Sequence, residues 1–455
     1  MWTRDPLLTR RSLLQASAAV AALAAVGCHS PAVAPQPPRK RTQGRLRHAG
    51  IGVGGMGGSD LAQIAKHPDV DIVALCDVDE GFLQEAAKKH PKARLYRDWR
   101  QLLRESDDID SVHVTTPDHM HAPILLAALA RGLHCYGQKP LTRTVKEARA
   151  VAAAAEAAGV VTQMGIQNRS NLPYQRAKAA FQTGFLGQVY EVHVWSDRPA
   201  GWWPQGVGRP EGSDPVPATL DWDGWLGVSP TRPFKTGQYH PFAWRGWRDF
   251  GTGAQGDMAC HLMDPALWFL ELGAPLRLRS DGPTPNDETY PLWSRVEYEF
   301  AATPHTTRGP LQLYWHDGGK QVPADILAEF GATDITKNGC LFLGTKGVLL
   351  ADPYSEPTCY PADKHARVVE QLPQFKLMDH WSIYVNACLD RGEPNGDFAY
   401  AAHLTQTALL GNIALQVPHE TLEWNEASGR FRNHAQADAK LHTPWRADFE
   451  VPVRL

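Results

Sequence analysis

Gly52-Val-Gly-Gly-Met-Gly57 follows the apolar run RHAGI (47–51) and precedes SDLAQIAKH (59–67), whose apolar residues recur at helical spacing. Strand, glycine turn and helix in that order form the first unit of a dinucleotide-binding fold. Gly52 permits the tight turn, Gly54 lets backbone approach a pyrophosphate, and Gly57 lets helix pack on strand. Gly55 and Met56 complete the turn over the helix N-terminus. Asp77 ends a second apolar run, DIVALCDVD (71–79), where a carboxylate accepts hydrogen bonds from a ribose diol. A carboxylate there repels a 2′-phosphate, and Val78-Asp79 brings no compensating cation, so the expected cofactor is NAD rather than NADP.

Outward from the turn, strand and helix patterns alternate: SVHVTTP (111–117), APILLAALARG (122–132), HCYGQ (134–138), VKEARAVAAAAEAAG (145–159) and VVTQMG (160–165). Such alternation predicts an α/β architecture, a doubly wound Rossmann parallel sheet over 46–168. After Asn168 the rhythm changes. GQVYEVHVWSD (187–197), LWSRVEYEFA (292–301) and GPLQLYWHD (309–317) alternate faces as strands, and CLFLGTKGVLLAD (340–352) reads as a hairpin. These predict a C-terminal α+β domain over 169–420 with a large open, mostly antiparallel sheet. Residues 421–455 read as a closing segment packed on the body, or as an arm exchanged between subunits.

The chain has 455 residues, a net charge of -3 and 43% hydrophobic residues, which supports full cores and provides no basic footprint for nucleic acid. Its seven cysteines show no CxxC spacing, so neither a zinc ribbon nor a thioredoxin-type site is indicated. Arg10-Arg11 precedes a short alanine-rich stretch, the pattern of a Tat export signal over 1–28. Ala25-Val-Gly-Cys28 is similar to a lipoprotein cleavage box, so Cys28 is a candidate lipid anchor, and 29–45 read as a linker. The location expected is the periplasm.

Four stretches together resemble the Gfo/Idh/MocA family of glucose–fructose oxidoreductase and inositol dehydrogenase relatives: GVGGMG, TTPDHMHAPI (115–124), GQKPLTRT (137–144) and GTGAQGDMACHLMD (251–264). WDGWLG (222–227), HPFAWRGWRDFGTG (240–253) and AYAAHLTQTALLGNIAL (399–415) resemble its exported, sugar-handling branch. The resemblance implies that Lys139 hydrogen-bonds the reacting hydroxyl, that His261 is the acid/base and that Asp257 binds a substrate hydroxyl. It also places Thr116, Pro117, His121, Gln138 and Gln167 along the cofactor. The family motif Glu-Lys-Pro reads Gln138-Lys139-Pro140 here, which keeps a hydrogen bond but not a charge.

From spacing alone, a helix over 257–264 would set Asp257, His261 and Asp264 on one face, and a capped or buried histidine is a better reading than a catalytic one; the resemblance reverses that order. Asp257 with His261, and His119 with His121, lack third and fourth ligands in suitable spacing, so no metal is expected. Seven of the 15 tryptophans lie between 195 and 247. Indoles in loops read either as platforms for pyranose rings or as anchors of a satellite core. Trp203, Tyr239, His240, Trp244 and Arg245 are the candidates for a substrate pocket, and Trp222 and Trp225 the structural ones.

Three functions remain open at this level. One is an exported NAD-dependent oxidoreductase of a sugar, polyol or glycoside that recycles a tightly held cofactor. Another is a glycoside hydrolase or lyase working by transient oxidation, and the third is a non-catalytic sugar-binding protein. By analogy with the family, a homo-oligomer (dimer or tetramer) is expected.

Overall fold

The computed structural model describes residues 44–453 apart from 333–334, 362–365 and 369. The expected export signal, the candidate lipid-anchor Cys28 and nearly all of the expected linker lie outside these residues.

Six strands form the first sheet: β1 (Leu46–Ile51), β2 (Val70–Cys76), β3 (Arg94–Tyr96), β4 (Ser111–Val114), β5 (His134–Gly137) and β6 (Thr162–Met164). All pair in parallel in the order β3-β2-β1-β4-β5-β6, so the chain reverses direction across the sheet between β1 and β4. That switch point, at the carboxyl ends of the strands, is where a doubly wound sheet opens a crevice. The predicted alanine-rich helix is Val145–Ala158, closed by a Thr144–Glu147 capping box and by Gly159 in the left-handed conformation.

The second sheet holds β7 (Val189–Trp195), β8 (Arg277–Asp281), β9 (Ser294–Phe300), β10 (Leu311–Asp317), β11 (Gly339–Gly344), β12 (Val348–Ala351), β13 (Thr358–Tyr360), β14 (Leu422–Asn425) and β15 (Arg430–Phe431). Its order is β13-β12-β11-β7-β10-β9-β8-β14-β15, antiparallel except where β7 meets β10. The hairpin read around Gly344–Gly347 is β11–β12. The closing segment folds onto its own chain: β14 pairs with β8, and Trp445 donates to Glu147 (2.8 Å).

The Phe398–Ala414 helix joins the two halves. It packs on the Val145–Ala158 helix of the first and on the Gly253–Leu262 helix of the second, and is buried on nearly every side. A helix buried on nearly every side belongs between layers, as this one lies, with Thr405, Gln406 and Asn412 hydrogen-bonded to the segments around it. Among the described residues no helix is long and apolar enough to cross a membrane, and none of the six cysteines forms a disulfide.

Candidate active site

The glycine turn is built as its sequence requires. Gly52 has φ +79°, and a Cβ on Gly57 would stand 1.9 Å from the Gly52 carbonyl oxygen. The helix Gly55–Ile64 starts with no side-chain cap and no acid in its first turn, leaving its positive end open to an anion. Asp77 does more than the sequence suggested. Its carboxylate accepts from Val53 N (2.8 Å) and Gly54 N (3.2 Å) through one oxygen and from Asp79 N (2.9 Å) through the other. It therefore braces the turn while still lining the crevice, and burial pushes its carboxyl up.

One cavity of about 620 Å³ runs from this turn to the second half of the chain. Gly52, Gly54, Gly55, Met56, Asp77, Thr116, Pro117, His121, Gln138, Lys139, Gln167, Asp257 and His261 all line it. The open helix end, the carboxylate after β2 and the glycine surface together suit a dinucleotide.

Two of the residues expected along the cofactor turn their polar atoms elsewhere. The His121 ring nitrogens face the carbonyls of Pro140 (2.9 Å) and Thr116 (2.8 Å), so this ring ties two loops together. Gln138 donates to Asp60 (3.0 Å) and accepts from Lys139 N (3.0 Å). Asp60 also accepts from Thr115 and Trp381, and burial raises it to about 6. The departure from the family motif thereby gains a physical reason. A glutamate at 138 would face the Asp60 carboxylate, whereas the amide donates to it. Gln167 Oε1 and Thr116 Oγ1, by contrast, have no hydrogen-bond partner among the described residues.

At the far end, Lys139 Nζ donates to Asp257 Oδ1 (2.8 Å) and to the Asp257 carbonyl (3.0 Å), and Arg245 Nε lies 3.4 Å from the same carboxylate oxygen. Burial pushes the Asp257 carboxyl up, but the Lys139 and Arg245 charges outweigh it and hold it below the usual range. His261 lies one helical turn further on. Burial, then the Lys139 charge, lowers its ring to about 3, so it stays neutral. Its Nδ1 is buried without a partner, and Tyr174 anchors its carbonyl (2.9 Å).

The expected third member of that helix face is absent. The helix ends at Leu262, and Pro265 starts a new one at Asp264. Asp264 instead meets Tyr400 (2.5 Å) and Arg169 (3.7 Å), outside the cavity.

Asp118, within the TPDHMH stretch, lines the cavity unforeseen by the sequence reading. Thr252 donates to it (2.8 Å), and burial, reinforced by the Asp257 charge, raises it to about 7 despite Lys139 and Arg245. A raised carboxyl contributes stability at low pH that is lost as pH climbs through its folded value. Asp118→Asn should therefore be more stable than the parent by an amount that grows from pH about 4 to 7, on the order of 2–4 kcal/mol, and then levels off. Melting curves of both proteins with NAD in excess would show a constant difference if Asp118 stayed ionised throughout.

Much of the tryptophan-rich region is satellite core. Trp222 and Trp225 stack at 4.8 Å, and Trp247, Phe250, Phe234 and Leu220 join them. Tyr239 belongs here too, contrary to its expected place in a substrate pocket. It is 1% exposed, stacked on Trp222 and set edge-on against Trp247 and Phe250. Trp225, expected to be structural, is core but also reaches the cavity wall. Trp203, Trp244 and Arg245 line the cavity as expected.

His240 lines it at the other end. Its Nε2 meets Asp79 (2.9 Å) and its ring lies against Phe82, both just past β2. Around it, Asp221 N donates to Val78 O (3.0 Å), Glu80 N to Thr219 O (2.9 Å), and Arg97 to both carbonyls. The 219–240 segment is thus latched onto the edge of the dinucleotide crevice. A loop of this kind leaves no local signature, because its partners lie far earlier in the chain, 161 positions for His240 and Asp79.

A glycine-turn parallel sheet facing a lysine–carboxylate pair and a neutral histidine defines a dinucleotide-dependent Rossmann oxidoreductase scaffold. Residues 46–166 match the family model described as oxidoreductase family, NAD-binding Rossmann fold, and 170–306 match that of its C-terminal alpha/beta domain. The chain belongs to the Gfo/Idh/MocA family.

Among its relatives, inositol 2-dehydrogenase of Salmonella typhimurium is 30% identical over 146 residues, 31% of this chain and 43% of that protein. Levoglucosan dehydrogenase of Pseudarthrobacter phenanthrenivorans is 27% identical over 197 residues (43% and 42%). A glycosyl hydrolase family 109 protein of Shewanella baltica is 30% identical over 189 residues (37% and 40%). The chain thus spans less than half the length of the curated relatives it matches. The WlbA dehydrogenase of Bordetella pertussis, solved with NADH and UDP-GlcNAcA, superposes with a TM-score of 0.58 at 18% identity, covering 84% of this chain and 99% of its own. Myo-inositol dehydrogenase of Lactobacillus casei, solved with NAD(H) and myo-inositol, gives 0.54 at 16% identity (84% and 97%). At these identities the likeness is one of fold.

Proposed function

We propose that the protein is an NAD-dependent oxidoreductase that removes hydride from a secondary alcohol of a sugar, polyol or glycoside. One observation carries this reading: Lys139, Asp257 and neutral His261 share a wall of the cavity that begins at the glycine turn. NAD, when bound, supplies the hydride acceptor. His261 takes the hydroxyl proton because its ring is unprotonated, and Asp257 offsets the imidazolium charge that results. Lys139 donates to the carbinol oxygen as negative charge develops there. The sugar dehydrogenases among the relatives support the substrate class.

Export by the twin-arginine route to the periplasm, with Cys28 as a lipid site, is part of the same proposal and rests on the N-terminal sequence. A folded protein leaving the cytosol has to take its cofactor along and recycle it. The latch between 219–240 and the residues after β2 supports such retention. A homo-oligomer, by analogy with the family, belongs to the same proposal.

The relative named as a family 109 glycosyl hydrolase favours a second reading, in which oxidation of a ring carbinol acidifies the neighbouring C–H, elimination breaks the glycosidic bond, water adds, and the hydride returns. Denaturing protein purified without added cofactor, before and after exposure to sugars and aryl glycosides, separates the two. Near-stoichiometric NAD converted to bound NADH by a free sugar supports the oxidoreductase. Aglycone release with NAD restored supports the hydrolase, and protein without nicotinamide overturns the carried cofactor. His240→Ala, which breaks the latch, should be isolated with less than half the NAD of the parent; equal content would remove His240 from retention.

A further inference from the structure

Outward from Asp257 runs a ladder of contacts that the chemistry above does not use. Arg245 touches Asp257, and its guanidinium lies 4.3 Å from the ring centre of Phe242 and 4.4 Å from that of Trp244. Phe242 in turn meets Trp202, ring centres 6.5 Å apart, and the Arg198 guanidinium lies 3.5 Å over Trp202. Exposure climbs along the ladder. Asp257 is 9% exposed, while Phe242 and Trp202 are 43% and 48% exposed at the mouth of the same cavity.

The loops that carry these exposed rings are anchored to the body. Trp203 Nε1 donates to Gln205 Oε1 (2.8 Å), which also accepts from Ala254 N (2.8 Å) at the start of the helix carrying Asp257 and His261. Gly206 N donates to Tyr290 O (2.8 Å), and any Cβ on Gly246 would stand 1.8 Å from Pro204 O. Two wet aromatic faces on loops tied to the active helix cost hydration free energy in the free protein. Each is backed by an arginine, which fixes the ring plane and supplies N–H donors at its rim.

We infer that Trp202 and Phe242 form a second-ring subsite, so that the substrate is a glycoside whose ring beyond the oxidised one stacks on this platform. The inference rests on the oxidoreductase reading for the position of the reacting ring. Asp257 marks that ring, Arg245 spans to the next, and the platform begins there. The apolar faces suit the C–H face of a pyranose or an aryl aglycone, and Arg198 and Arg245 suit oxygen acceptors at its edge.

The test uses the protein as purified with its cofactor. Methyl hexopyranosides, the matching 4-nitrophenyl glycosides and the matching homodisaccharides are titrated by calorimetry while bound NADH and released aglycone are followed. Two-ring ligands should bind about tenfold or more tighter than their methyl counterparts. Trp202→Ala should lower that ratio about tenfold, and Trp202→Phe should restore most of it. The aryl and disaccharide arms tell which kind of second ring is taken.

Equal affinity for one- and two-ring ligands, or a ratio that survives Trp202→Ala, overturns the subsite. So does a patch that proves to be a self-association surface, shown by Trp202→Ala sedimenting as a smaller species with its ligand ratio intact. If the ratio behaves as expected but the nicotinamide never changes and no aglycone appears, the subsite stands and the oxidoreductase reading falls. If one-ring sugars reduce the cofactor without any two-ring gain, only the subsite falls. No binding by any member overturns both.

Discussion

His261→Ala keeps its fold and its bound NAD and loses turnover by about a thousandfold or more. The site leaves few substitutes for this ring. Asp257 is held ionised by Lys139 and Arg245, and its Oδ1 already accepts from the first and faces the second. Asp118, the other nearby carboxyl, is tied to Thr252. General acid–base groups in positioned sites contribute on the order of 10²–10⁴ in rate. The cofactor should be undisturbed, because the glycine turn and Asp77 are held by contacts that do not involve this helix. Single-turnover formation of bound NADH, read with cofactor content after denaturation, decides it. Turnover within tenfold of the parent at normal NAD content would remove His261 as the proton acceptor.

Lys139→Met is expected to lose as much activity and to destabilise the protein as well. The lysine and Asp257 have side chains only 15% and 12% exposed, and the pair exchanges a 2.8 Å hydrogen bond. Removing one partner of a buried pair leaves the other charge without compensation, a cost of about 3–5 kcal/mol that Arg245 at 3.4 Å offsets in part. Lys139 holds the Asp257 carboxyl down and, after burial, is the largest influence lowering His261. In the variant both groups should titrate higher, so residual activity falls away at higher pH on the acid side than in the parent.

Lys139→Met combined with Asp257→Asn separates the two effects. The double variant should regain most of the stability, since no unpaired charge is left buried, and none of the rate. Recovery of rate in the double variant, or a Lys139→Met protein with parental kcat/KM, would show that Lys139 serves structure alone.

The parallel sheet was readable because each of its signals is local. A strand, the glycines of the turn and a helix within residues 46–64 meet steric demands that no distant contact can relax, as the Gly52 and Gly57 geometry shows. The site roles of Lys139 and Asp257 came from resemblance rather than pattern, and their pairing across 118 positions was visible only in the structure. What escaped the reading has one cause, which is that a side chain's surroundings are set by segments far away in the chain. Asp264 looked like a companion of Asp257 and His261 until Pro265 ended the shared helix. Tyr239 and Trp244 stand five residues apart in one aromatic loop, yet one is walled in by Trp222, Trp247 and Phe250 while the other lines the cavity.

Gln138 shows the same division in a single residue. Its place after β5 and before Lys139 follows from the chain, but its purpose follows from Asp60, 78 positions earlier, whose buried carboxylate needs a donor that glutamate could not provide. Local backbone geometry and periodic burial therefore determined the fold class and the position of the dinucleotide crevice. Which polar groups face that crevice, which are consumed as braces and which aromatic faces stay open at its mouth depended on contacts across the two sheets. Packing and hydrogen-bond satisfaction are properties of the assembled interior, and no stretch of sequence carries them alone.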